Sequence, residues 1–229
     1  MASTNLEMLR MAAVRLTPVL DELVFVGGST VELFITDEAS LGIRETKDVD
    51  VIVEAFTYAE YMEFGERLKK IGFSEDTSDD APLCRWVNDS TVLDVMPLDE
   101  KVLGFTNRWY KKAIQNVLEV HLAEHLPIKI PKPEYFLVTK IEAFNTRGKG
   151  DYYASHDLED IIAVIDGRAE MIDDVKSGDE EVARAVTAFF KACLSDDRFL
   201  NALPGLLTSV SSDSGRLEVV LTRLRELAG

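Results

Sequence analysis

The sequence predicts an α+β fold, with a mixed sheet and flanking helices over residues 1–131 and an all-helical region over 132–229. Three observations predict it. Short β-branched runs, such as Leu23-Val24-Phe25-Val26 and Val51-Ile52-Val53, crowd the first half. Pro131 and Pro133 then punctuate the chain, and helical periodicity takes over. Strands followed by a run of helices favour an α+β domain with a helical domain appended.

Taken in order, Leu6, Leu9, Ala13, Leu16 and Leu20 recur at helical spacing, so the first 20 residues read as an amphipathic helix. Leu23–Val26 is a strand closed by Gly27-Gly28, and Ser29 can cap a helix through about Thr36. The polar stretch Asp37–Lys47, with Gly42, reads as a loop. Asp48–Val53 is a second strand. Phe56–Ile71 is a helix stopped by Gly72. Leu83–Val87 and Thr91–Pro97 flank the turn Asn88-Asp89-Ser90 and form a hairpin. Leu118–Leu122 and Pro127–Ile130 are short strands. Helices follow over about 133–145, 156–164, 179–195, 197–207 and 214–227.

Composition bounds the function. The 229 residues carry 25 Lys+Arg against 41 Asp+Glu, a formal net charge of −16, with 46% apolar residues. That balance is globular, and no apolar run approaches the roughly 18 residues of a membrane span, so no membrane association is expected. The segment Met1–Glu7 lacks a basic stretch followed by an apolar one, so no secretory signal is expected. Cys84 and Cys193 imply no disulfide framework, and a reducing cytoplasmic location is expected. Acidity argues against non-specific nucleic-acid binding, while a local basic groove stays possible.

Three segments carry chemistry. Gly27-Gly28-Ser29, after a strand, reads as a serine-capped turn or as a phosphate cradle with free backbone N–H groups. Asp48-Val49-Asp50 places two carboxylates on one face of a strand, where a divalent cation would relieve their repulsion; the plainer reading is two wet aspartates at a strand entrance. Asp94 is a lone acid in the apolar strand Thr91–Met96. It completes a carboxylate triad if the two strands are neighbours, and otherwise guards an edge strand.

In that order, Val26-Gly27-Gly28-Ser29, Asp48-Val49-Asp50-Val51 and Asp94 resemble the nucleotidyltransferase superfamily related to DNA polymerase beta. Arg44-Glu45-Thr46-Lys47 resembles that family's approach to the acidic strand. Further on, Thr139–Gly148 followed by Asp157-Leu158-Glu159-Asp160-Ile161 looks like the helical signature of the AbiEii/AbiGii-type toxin nucleotidyltransferases. That group pairs a Lys on one helix with an Asp on the next, and Lys140 and Asp160 match those positions, with Asp157 a neighbouring candidate.

The resemblance implies transfer of a nucleoside monophosphate from an NTP, with Mg²⁺, to a hydroxyl of a tRNA, a protein or a small molecule. The NTP is expected in a cleft between the two halves. Gly27, Gly28, Ser29 and Lys140 are expected to hold the nucleotide, and Asp48, Asp50 and Asp94 the metal. Asp94 is also expected to help deprotonate the acceptor, and Asp160 to orient Lys140. A toxin role brings a cognate antitoxin as a possible partner. Two alternatives stand beside it: a transferase for an antibiotic-like cation, which the acidity suits, and a non-catalytic nucleotide-binding interaction protein.

Read without the resemblance, Lys140 lies among Phe136, Leu137, Ile141 and Phe144, so its ammonium needs an exposed edge or an anionic partner. Arg147 and Lys149 favour a helix C-terminus, and Asp157 and Glu159 an acidic first turn. His121, His125 and His156 lack zinc-ligand spacing. Trp109-Tyr110 with Arg108, Lys111 and Lys112 reads as a helix packing its aromatic face rather than as a nucleic-acid patch.

Overall fold

The computed structural model describes residues 3–37, 43–89, 91–148, 150–207 and 214–229; Gly42, Ser90 and Lys149 of the sequence reading lie outside them. The elements run α1 (Thr4–Arg15), β1 (Leu23–Val26), β2 (Val49–Val53), α2 (Tyr58–Lys70), β3 (Ser74–Glu75), β4 (Arg85–Asn88), β5 (Thr91–Met96), α3 (Glu100–Leu103), α4 (Tyr110–Gln115), β6 (Val117–His121) and β7 (Pro127–Pro131). Helices α5 (Pro133–Thr146), α6 (His156–Gly167), α7 (Met171–Ser177), α8 (Glu180–Leu194), α9 (Asp197–Leu206) and α10 (Ser214–Ala228) follow. The fold is α+β, with a mixed sheet followed by helices, and no described helix is long and apolar enough to cross a membrane.

The seven strands are ordered β3-β4-β5-β2-β1-β7-β6. β2 pairs antiparallel with β1 and parallel with β5, and β1 pairs parallel with β7. β4 and β5 form the expected hairpin, with Asn88 opposite Thr91. The central strands are buried and read as continuous apolar runs: Leu23, Phe25, Val51, Ile52, Leu93 and Val95 are fully covered. α2 begins at a capping box, Thr57 with Glu60, and comes close to β4 at Gly65, where a Cβ would lie 2.9 Å from Trp86 Cη2. Tyr61 donates its hydroxyl to the Val95 carbonyl at 3.1 Å.

The structure departs from the sequence reading at several places. The first helix ends at Arg15, and a 3-10 segment, Thr17–Glu22, takes over because Pro18 cannot continue the helical hydrogen bonds. Residues 28–34 are also 3-10, not α. Thr30 returns both its N–H (3.3 Å) and its hydroxyl (2.9 Å) to the Gly27 carbonyl, a tight i to i−3 closure, and Ser29 therefore caps nothing. β3, α3 and α7 are short elements that periodicity did not reveal, whereas α4 falls where Trp109-Tyr110-Lys111-Lys112 reads as a helix.

The chain divides into two compact units, Met1–Thr30 with Glu45–Lys132, and Val31–Arg44 with Pro133–Gly229. The sequence reading divided it once, near residue 131; the segment 31–44 instead joins the helices. Apolar burial and hydrogen bonding hold it there. The Phe34 ring packs on Phe136 at 4.5 Å between centroids, and Thr36 and Asp37 both donate their N–H to the Gly167 carbonyl at 2.9 Å. Arg216 joins Asp37 (2.8 Å) to Asp166 at the end of α6. Phe136, Ile161, Ile165, Phe190 and Phe199 form the core of this unit.

Phe34 is therefore the apolar anchor of the 31–37 segment. Phe34→Ala is expected to lower stability by about 3–4 kcal/mol through loss of burial and the cavity left behind. Urea unfolding of the variant against the parent chain measures it.

Candidate active site

The first unit brings the three predicted carboxylates to one face of the sheet. Asp50 on β2 is the direct lateral partner of Asp94 on β5, so the two side chains share a face, and Asp48 lies two residues before Asp50 on the same side. Asp94 is buried; Asp48 and Asp50 are half-buried.

Gly27 follows the β1 residue that pairs with Asp50, and it is left-handed, at φ +77°. A Cβ on Gly27 would lie 1.9 Å from Asp50 Oδ2, so only glycine leaves room for that carboxylate. Ser29, fully buried, has a hydroxyl oxygen with no hydrogen-bond partner among the described residues.

The residue that the sequence reading missed is Arg85. Its position on β4 is the lateral partner of Asp94. Nε donates to Asp94 Oδ1 at 2.8 Å and Nη2 to Asp94 Oδ2 at 2.7 Å, a bidentate fork. Nη2 also reaches Asp48 Oδ2 at 2.9 Å. These hydrogen bonds to Asp94 hold the guanidinium pKa above its ordinary value. Thr46 donates its hydroxyl to the other Asp48 oxygen at 2.9 Å, and Asn5 on α1 accepts the Thr46 N–H at 3.0 Å. A signal for Arg85 was present: a lone cation in the run Leu83-Cys84-Arg85-Trp86-Val87 needs a carboxylate, and hairpin counting from Asn88 opposite Thr91 puts Asp94 beside it.

The donor set suits Mg²⁺ in kind, being hard carboxylate oxygens at a strand end. In this arrangement Asp48 and Asp94 gather on the guanidinium, and among the described residues no three acidic, His or Cys side chains lie close enough together to share an ion. The neighbouring Cys84 thiol is buried, which pushes its pKa up to about 12, so it offers no thiolate ligand.

In the second unit Lys140 and Asp160 meet. Lys140 Nζ lies 2.6 Å from Asp160 Oδ2 and 3.1 Å from Asp157 Oδ1, and all three side chains are buried. Arg147 grips Asp157 with Nε at 2.9 Å and Nη2 at 2.8 Å. Arg44 lies 3.5 Å from both Asp160 and Glu159. Asp157 is thus a buried member of the cluster, not a solvated first-turn acid. Arg147 serves that carboxylate rather than the helix C-terminus, because a buried anion demands a partner. Burial alone would raise the Asp157 pKa; the Arg147 hydrogen bonds and the Lys140 charge outweigh it and hold the carboxyl below its usual range. His121, His125 and His156 are exposed, and Trp109 is buried as a packing residue.

Comparison with solved structures finds a protein of similar fold, JHP933 from Helicobacter pylori, at a TM-score of 0.50 and 12% identity over 100% of this chain and 93% of that one. An antigenic nucleotidyltransferase-like protein from Paracoccidioides brasiliensis matches at a TM-score of 0.48 and 17% identity, over 88% and 94% of the two chains. The antibiotic-resistance factor ANT(2'')-Ia matches at 0.47 and 12%, over 88% and 99%. At 12% identity the likeness to JHP933 is one of fold. No protein-family model and no curated protein matches the chain.

Gly27→Ala is expected to cost about 2–3 kcal/mol, backbone strain plus displacement of Asp50. Gly104→Ala, also left-handed but with nothing within 4 Å of its Cβ, isolates the conformational part and is expected to cost about 1–2 kcal/mol. Urea unfolding of both variants separates the two terms.

Asp157 adds a pH dependence. Its folded-state pKa lies below the unfolded value, so its stabilisation is present above about pH 4 and is lost as pH falls through the folded value. Asp157→Asn is expected to be less stable than the parent by about 2 kcal/mol at pH 7, the gap closing on acidification. Unfolding curves at pH 7, 5 and 3 check this.

Proposed function

We propose that the chain is a Mg²⁺-dependent nucleotidyltransferase that moves a nucleoside monophosphate from an NTP to a hydroxyl acceptor. The observation that carries this reading is the parallel pairing of β2 with β5, which sets Asp50 beside Asp94, with Asp48 on the same face and the Gly27 turn against Asp50. In the reaction, an oxygen of the acceptor forms a bond to the α-phosphorus, the bond to the bridging oxygen breaks, and pyrophosphate leaves. The charge in flight sits on phosphate oxygens, so a chain that does this must position and neutralise more than it must bond.

Asp48, Asp50 and Asp94 would hold Mg²⁺. When bound, that ion supplies Lewis-acid polarisation of the phosphoryl group and charge neutralisation. Gly27 and Gly28 let phosphate oxygens approach the backbone. A buried hydroxyl with no partner costs about 1–3 kcal/mol, and a phosphate oxygen bonded to Ser29 would remove that cost. Asp94 takes the acceptor proton as general base. Within the second unit the 2.6 Å bond between Lys140 and Asp160 supports Asp160 as the group that orients Lys140.

The finer assignment to the AbiEii/AbiGii-type toxins belongs to the same proposal. It is supported by the Lys140–Asp160 pair across α5 and α6, and it makes tRNA or protein the acceptor and an antitoxin the partner. A cationic small-molecule acceptor is favoured by one observation, the net charge of −16.

Asp50→Ala is expected to leave the chain folded and to abolish transfer. The measurement incubates parent and variant with each α-labelled NTP and total cell extract, then separates RNA, protein and small-molecule fractions. Label in one fraction, dependent on Mg²⁺ and on Asp50, identifies the acceptor; equal labelling by parent and variant contradicts the proposal.

A further inference from the structure

We propose that Arg85 is a built-in counter-ion that competes with the divalent cation for Asp94 and Asp48, and so sets the cation affinity of the site. This rests on the metal-dependent reading above. Strand register fixes the Arg85 backbone beside Asp94, so the guanidinium is delivered to these carboxylates by the fold itself. It engages both oxygens of Asp94 and one of Asp48, at 2.7–2.9 Å. Those are donor atoms that a divalent ion on Asp48, Asp50 and Asp94 would use. The fork takes one lone pair on each of these oxygens and sets a second positive charge beside the ion, so each weakens the hold of the other.

The competition has an exit route. An arginine side chain has several rotatable bonds, and that of Arg85 is 25% exposed, so the guanidinium can turn into solvent without unpacking its strand. Protonation offers no such exit, since arginine stays charged at every relevant pH. Release is therefore driven by the incoming ion alone. With no cation present, the arginine keeps three like charges from destabilising the sheet face. A purely structural Arg85 makes a different forecast: its loss would lower stability and leave cation affinity unchanged or weaker.

The test is Mn²⁺ titration, with free ion read by electron paramagnetic resonance, on the parent chain and on Arg85→Gln, Arg85→Lys, Lys47→Gln and Asp50→Asn. Arg85→Gln is expected to bind Mn²⁺ roughly ten-fold or more tightly than the parent. Its melting temperature is expected to fall without the ion and to recover with it by a larger shift than the parent shows. Arg85→Lys keeps the charge but not the fork, and is expected to show an intermediate gain; it carries the test if Arg85→Gln does not fold. Lys47→Gln removes an equal charge next to Asp48 from an exposed position and is expected to change affinity much less.

Equal or weaker Mn²⁺ binding in both Arg85 variants overturns the competition, as does a Lys47→Gln gain as large as that of Arg85→Gln. If the ion still depends on Asp50 in those cases, the metal reading survives. Binding that ignores Asp50→Asn in every background brings down the metal reading and the inference with it.

Discussion

A like-charge pair that the sheet itself creates governs the first unit. Pairing β2 with β5 in parallel sets Asp50 and Asp94 at the same level of neighbouring strands. Neighbouring strands lie about 5 Å apart, so two carboxylates at one level repel, and Asp48 adds a third charge. Register cannot slip to relieve this, because a one-residue shift would exchange the faces and put Asp50 and Asp94 where Val49, Val51, Leu93 and Val95 are fully buried. A positive group must come to the acids. Arg85 does so from β4, the opposite neighbour of β5, with Thr46 steadying Asp48 from the loop that α1 holds through Asn5. The glycine at 27 follows from the same constraint, since Asp50 needs the space a side chain would take.

The second unit meets a related problem with helices. Lys140 and Arg147 are seven residues apart, two turns, and so face one way; Asp157 and Asp160 are three apart on the next helix. The two pairs interlock, and Arg44 closes the outer side at Asp160. Lys140, Asp157 and Asp160 are buried, so each left alone would be strongly unfavourable, while Arg147 reaches Asp157 from an exposed position. The network ties α5 to α6 at fixed points, which apolar burial by itself specifies less sharply.

Much of this was legible in the residues. β-Branched runs gave the central strands, Gly and Pro gave the breaks, and the order of glycine pair, Asp-x-Asp and lone Asp singled out the sheet face. What escaped depends on partners distant in sequence. Arg85 makes sense only once the hairpin register is counted. Arg147 and Asp157 each had a sufficient local explanation in helix electrostatics, so neither pointed to the other. The 31–37 segment was assigned by its place in the chain, whereas Phe34 and the two N–H bonds to Gly167 decide where it packs. Short elements such as β3 and α3 are too brief for periodicity to register.

In each unit arginines are spent on that unit's own acids. Arg67, Arg85, Arg147, Arg168, Arg198 and Arg216 each spend their guanidinium on a carboxylate of the same unit. In the basic stretch 108–112, Arg108 lies over Trp109, Lys112 approaches the same ring, and Lys111 lies over Phe56. Cations committed in this way are occupied by partners of their own unit, and the formal net charge of the chain is −16.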